Sequence, residues 1–226
     1  HKVGLVKIED ADAGLVDDVT VYKNTTPKSV DFYQIKYHVD QRKQYSIETL
    51  LDTSAGTSLM TKFWQTWKTV AGNFGKENVR LHLYSNWLID SNCAVLLCIN
   101  NENGTLSDSF YKSSSRSDLG QKREYWREKL SATEDDFFQF TNSLVFHLGR
   151  DFSEELKQRV SDQMELVGLK SDENALLVAA GIVREWIKAK VQEITLEVLD
   201  KQIVAHDLRK PENEERACAV HLVTIK

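Results

Sequence analysis

Residues 17–36, DDVTVYKNTTPKSVDFYQIK, decide the reading of this chain. Val19 and Val21 alternate with Asp18, Thr20 and Tyr22. After the turn, Tyr33, Ile35 and Tyr37 alternate with Phe32, Gln34, Lys36 and His38, so both runs read as strands with two distinct faces. The connection KNTTPKS carries turn chemistry: Pro27 fixes its own φ, and Asn24, Thr25, Thr26 and Ser29 can bond nearby backbone. A hairpin is expected. With Asp18 opposite Gln34 or Lys36, the three polar groups share one face and Val19, Val21, Tyr33 and Ile35 pack on the other; with Asp18 opposite Ile35 the set falls apart. The alternation favours the first register.

A carboxylate from Asp18, an amide oxygen from Gln34 and the Ile35 backbone carbonyl suit a hard cation that takes oxygen ligands. Mg²⁺ is the expected ion, with Mn²⁺ able to substitute. Lys36 would stand beside the bound water, where an ammonium stabilises the charge that develops at phosphorus. On spacing alone, a Lys near an Asp on adjacent strands is more often an ordinary cross-strand ion pair, worth a few tenths of a kcal/mol.

The runs LVDDVTVY (15–22), DFYQIKYHVD (31–40), SLMTKFWQTW (58–67), VRLHLYSNWLID (79–90) and AAGIVREWIKAKVQEITLEVL (179–199) carry a resemblance that covers most of the chain. The sequence resembles the N-terminal effector nuclease domain of bacterial antiphage double-stranded DNA endonucleases. These are PD-(D/E)xK enzymes, here in a QxK variant, of CD-NTase-associated (CBASS) systems and antiviral STAND ATPases. The resemblance implies an α/β, restriction-endonuclease-like core whose mixed sheet is flanked by helices. It also implies a metal-binding Asp18, a second ligand at Gln34 and a catalytic Lys36. By the same resemblance, a sensor or ATPase domain C-terminal to the nuclease drives homo-oligomerisation and so activates cleavage of double-stranded DNA. A neutral amide holds a cation less strongly than a carboxylate does, so Asp17 and Glu9 are further candidate ligands. One departure stands out. Relatives place a Glu-bearing helix before the first core strand, whereas this chain opens on HKVGLVKIED, which reads as a strand over Val3 to Ile8 and then an acidic loop of Glu9, Asp10 and Asp12.

At 226 residues, 41% hydrophobic, with Gly 10 and Pro 2, the chain can bury a proper core. The expected division is a nuclease core over 1–115 and a helical extension over 116–226, whose final strand, CAVHLVTIK, returns to the core before the chain continues into another domain. Cys93, Cys98 and Cys218 are an odd, unclustered set, which speaks against a disulfide framework or a zinc site and for the cytoplasm. Neither a bilayer-length apolar run nor a signal peptide is present, so no membrane partner is expected. CAVLLCI (93–99) reads as a strand buried on both faces. Ser131 with Glu134 reads as a capping box opening a helix to His147, with Phe137, Phe140, Leu144 and His147 as its stripe; Ile194 and Leu199 bracket Thr195 as a hydrophobic staple. His82 reads as a core or edge histidine rather than a ligand.

A formal charge of −5 is unlike that of most dedicated nucleic-acid binders. A local basic set exists nonetheless. Lys112, Arg116, Lys122, Arg123, Arg127 and Lys129, with His38 beside the candidate site, are candidates for phosphate contacts; Glu124 and Glu128 make a solvated, charge-balanced helix face the competing reading. A second functional class stays open, a non-catalytic oligomerisation or scaffold module that keeps the nuclease fold. A Ser or Cys hydrolase lacks its G-x-S-x-G.

Overall fold

Turn chemistry closes the hairpin between β2 (Val19–Lys23) and β3 (Ser29–Lys36): Thr25 Oγ1 donates to the Pro27 carbonyl at 2.7 Å and lies 3.0 Å from Ser29 Oγ. This is a computed structural model that describes residues 3–10, 15, 16, 18–38, 43–149, 154–191 and 193–210. β1 (Val3–Ile8) pairs antiparallel with the other edge of β2. The chain then makes β4 (Gln44–Tyr45), α1 (Ile47–Leu50) and α2 (Leu59–Phe74) before β5 (Val79–Ser85) returns parallel to β3. Next come β6 (Leu88–Ile89), α3 (Asp108–Lys112), α4 (Asp118–Lys129) and α5 (Glu134–Ser143). β7 (Leu144–His147) then lies parallel to β5. The result is a mixed α/β sheet ordered β7-β5-β3-β2-β1.

One face of that sheet is the core. α2 starts at Ser58, whose side chain accepts from the Thr61 N–H, and stops at Gly75, which holds φ 85°. Between them Met60, Phe63, Trp64, Trp67, Val70 and Ala71 recur at helical spacing and are buried. They belong to one cluster with Val30 and Phe32 of β3 and Val79, Leu81 and Leu83 of β5. On β5 these alternate with half-buried Arg80, His82 and Tyr84, the period of a strand covered on one side.

The chain divides into two compact units, His1–Arg150 and Asp151–Lys226. The expected boundary at 115/116 falls inside the first. The second unit contains α6 (Glu154–Leu166), α7 (Glu173–Lys188), β8 (Glu193–Thr195) and α8 (Leu196–Ala205). Its small core is Met164, Ala175 and Leu208, with partly buried Leu169, Leu176, Ile182 and Ile203 packed against them. The Thr195 side chain caps α8 by accepting from the Val198 N–H. The final CAVHLVTIK run lies outside the described residues, and among those described no helix is long and apolar enough to cross a membrane.

Four local expectations are corrected. CAVLLCI is no strand: residues 96–98 form a short 3-10 turn, because Asp90 accepts from the Cys93 N–H and the run folds back on itself. The helix expected to reach His147 ends at Ser143, and Leu144–His147 is the parallel strand β7, where Leu144, Val145 and Phe146 are all buried. Its cap is Thr133, accepting from the Asp136 N–H, whereas Ser131 sits at φ 50° outside the helix. Finally, Val19, Val21, Tyr33 and Ile35 do not form the packed face. Val30 and Phe32 do, at 0% and 1% exposure, while Ile35 is 43% exposed. The side that carries Gln34 and Lys36 is therefore the helix-covered one.

Candidate functional site

The antiparallel register Thr20↔Phe32, Val19↔Tyr33 runs on to set Asp18 opposite Gln34, and Ile8↔Val19 likewise runs on to set Glu9 opposite Asp18. The Asp18 carboxylate accepts from the Gln34 side-chain amide and, through the same Oδ2, from the Ile35 N–H at 2.6 Å. A strand residue turns its N–H and C=O to the same edge. The Ile35 carbonyl thus also faces the Asp18 side. Gln34 is 2% exposed, so its amide needs the partner that Asp18 supplies.

Lys36 follows Gln34 by one full pleat on the same face. Its ammonium has no hydrogen bond or ion pair among the described residues, which leaves it free for a ligand. Thr20, fully buried one pleat from Asp18 on the same face, has a hydroxyl with no hydrogen-bond partner among the described residues. A hydrated Mg²⁺ needs oxygen ligands. Asp18, the Ile35 carbonyl and Gln34, once its amide oxygen turns inward, are the groups able to hold one. Among the described residues no three His, Cys, Asp or Glu side chains gather as a metal cluster, so any such ion would rely on amide and carbonyl oxygens.

The other candidates separate. Glu9 is exposed, holds φ 52° and touches Asp18 only through its N–H, which donates to the Asp18 carbonyl at 3.3 Å. Asp17 and Asp12 lie outside the described residues. Asp10, expected in a solvated loop, is instead 3% exposed; it accepts from the Tyr22 hydroxyl at 2.7 Å and pairs with Lys7 at 3.6 Å. The basic set is mostly spoken for. Lys112 pairs with Asp108, Lys122 with Glu48 at 3.1 Å and Arg127 with Glu124 at 2.8 Å. Lys129 lies over the Tyr125 ring, and Arg123 is buried with its guanidinium on backbone carbonyls. Arg116 alone of the six is exposed without a side-chain partner among the described residues.

The residues around His38 gave no sequence signal. Its backbone N–H and C=O are bracketed by the Asn86 side chain at 2.9 and 2.8 Å, and its ring stacks on Trp87 with centroids 3.5 Å apart. Tyr45 and Trp87 reach it because the two-residue strands β4 and β6 pair with each other, a contact too short to leave a hydrophobic period.

Behind the site, the reverse sheet face holds a polar group built on His82. His82 Nδ1 lies 3.0 Å from His147 Nε2, the Tyr33 ring stacks on it at 4.3 Å, and Asp31 lies 3.8 Å from its other nitrogen. Asp31 would favour an imidazolium, but Lys23 already occupies that carboxylate at 2.5 Å. Burial, then His147, Lys23 and Arg80, push His82 down to about 3; burial and then Asp31 push Tyr33 up to about 12. An unfolded chain takes a proton on His82 near pH 6.5 and the folded one does not until about 3. The stability linked to this neutral ring is complete above 6.5 and is lost progressively as pH falls toward 3, by roughly 4–5 kcal/mol. Urea midpoints followed from pH 7 to 4 should therefore drop less steeply in His82→Gln than in the wild type; parallel acid limbs would refute it.

No protein-family model matches the sequence, and no curated protein matches it.

Proposed function

We propose that this chain is a Mg²⁺-dependent nuclease domain of restriction-endonuclease-like fold that hydrolyses phosphodiester bonds of double-stranded DNA. In this reading it is the effector of a bacterial antiphage protein whose sensor or ATPase domain lies C-terminal and activates it by homo-oligomerisation. The observation that supports it is the contact of Asp18 with both Gln34 and the Ile35 backbone, with Lys36, unpaired among the described residues, one pleat further along the same face. Bound Mg²⁺, held by Asp18, Gln34 and the Ile35 carbonyl, would acidify a water and polarise the phosphoryl oxygens. Lys36 orients the attacking oxygen and offsets the negative charge gained at phosphorus.

The alternative, a non-catalytic association module, draws on a different observation. The second unit leaves Leu166, Val167, Leu177, Leu196 and Val204 more than half exposed, which suits contact with other copies. Supercoiled plasmid separates the two readings. At protein concentrations that allow self-association, the wild type should nick and linearise it with Mg²⁺ or Mn²⁺ and not with EDTA, and Lys36→Ala should be slower by about 10²–10³-fold. Metal-dependent cleavage undiminished in Lys36→Ala would reject the assignment.

A further inference from the structure

His38 is held from three sides yet keeps one ring nitrogen unused. Asn86 continues the β3–β5 ladder with its side chain, fixing the His38 backbone two residues beyond Lys36. Trp87 fixes the ring plane, at 17° to its own, and the Tyr45 hydroxyl lies 3.1 Å from Nε2. Tyr45 is 3% exposed and burial raises its pKa, so its phenol keeps the proton; we assign the tautomer in which that hydroxyl donates to Nε2. Nδ1 then carries the ring hydrogen. That nitrogen has no partner among the described residues. A surface histidine needs none of this order; a histidine that must present one N–H in one direction needs all of it.

Resting on the nuclease reading, we propose that His38 is a substrate-contacting residue whose Nδ1–H donates to a non-bridging oxygen of the DNA backbone phosphate lying beside Lys36. Burial, Lys36 and Lys43 lower the pKa of this ring in the free protein, so it meets the phosphate neutral, as a donor that the Tyr45 hydroxyl has already oriented. An arriving phosphate supplies the missing negative charge, and binding draws a proton toward the ring.

The test uses three variants and a short DNA duplex bound in Ca²⁺, with cleavage in Mg²⁺ measured alongside. An Asn side chain places its amide nitrogen where Nδ1 stands, and a Gln places its own where Nε2 stands. His38→Asn should bind within about twofold of the wild type, whereas His38→Gln and His38→Ala should each lose about tenfold in affinity, with a smaller change in kcat. The wild-type affinity should also rise more steeply than that of His38→Asn as pH falls below 6.5. Rescue by Gln and not by Asn would make His38 a packing residue under Tyr45 and overturn the contact. Unchanged affinity in all three variants would overturn it too, and with Lys36→Ala inactive the nuclease reading would survive that failure. A wild type that neither binds nor cuts DNA removes both.

Discussion

Asp18→Asn is expected to leave the first unit folded and to slow metal-dependent DNA cleavage by about 10²–10³-fold. The two halves of this result have separate causes. Asp18 Oδ2 accepts from the buried Gln34 amide and from the Ile35 N–H, and an asparagine oxygen can accept both, so the strand end keeps its partners. What asparagine cannot supply is the negative charge, and in a site otherwise built from an amide and a carbonyl that charge is the main attraction for a divalent ion. Asp18→Ala should be worse in a different way: it strands the Gln34 amide at 2% exposure, at a cost of about 1–3 kcal/mol. Thermal melts and plasmid cleavage on the same preparations separate charge from folding. If Asp18→Asn cleaved at the wild-type rate, Asp18 would be a structural hydrogen-bond acceptor and the metal assignment would fall.

How far the sequence already disclosed this arrangement depends on the range of the interaction. The hairpin register was legible, because alternation in VTVY and SVDFYQIK and the polar turn between them act over a few residues. The buried side is not legible. Tyr33 and Ile35 look as apolar as Val30 and Phe32, and only α2, arriving from residues 59–74, selects which pair is covered. β7 was hidden for a similar reason. Leu144–His147 follows a helix without a Gly or Pro break, and its strand conformation comes from pairing with β5, about sixty residues earlier. The surroundings of His38 depend on Tyr45, Asn86 and Trp87, which meet through a pairing of two residues. A cluster held by long-range contacts leaves no period to read.

Arg123 shows the same limit and supports the second large effect: Arg123→Met should cost the first unit about 3–5 kcal/mol, whereas Arg116→Ala should cost less than about 0.5 kcal/mol. Sequence placed both arginines in one basic patch. In the structure Arg123 Nη1 donates to the carbonyls of Phe110, Tyr111 and Ser113 at 2.9, 3.2 and 3.1 Å and to Ser113 Oγ at 2.8 Å. These are the end carbonyls of α3, a five-residue helix with no glycine stop, and the guanidinium caps them as a cation at a helix C-terminus should. Methionine fills the volume and donates nothing. The serine-rich loop beyond cannot shift to compensate: Ser117 donates to the Ser114 carbonyl at 2.6 Å, and a Cβ on Gly120 would come within 1.9 Å of that same oxygen. Because all four contacts come from the single nitrogen Nη1, lysine, whose ammonium also carries several donors, should recover part of the loss. Arg116, exposed and unpaired among the described residues, has no such role, and its loss should appear only as a weaker salt dependence of DNA binding. Urea midpoints for Arg123→Met, Arg123→Lys and Arg116→Ala decide the matter. An Arg123→Met protein as stable as the wild type but unable to bind DNA would return Arg123 to the DNA-facing surface.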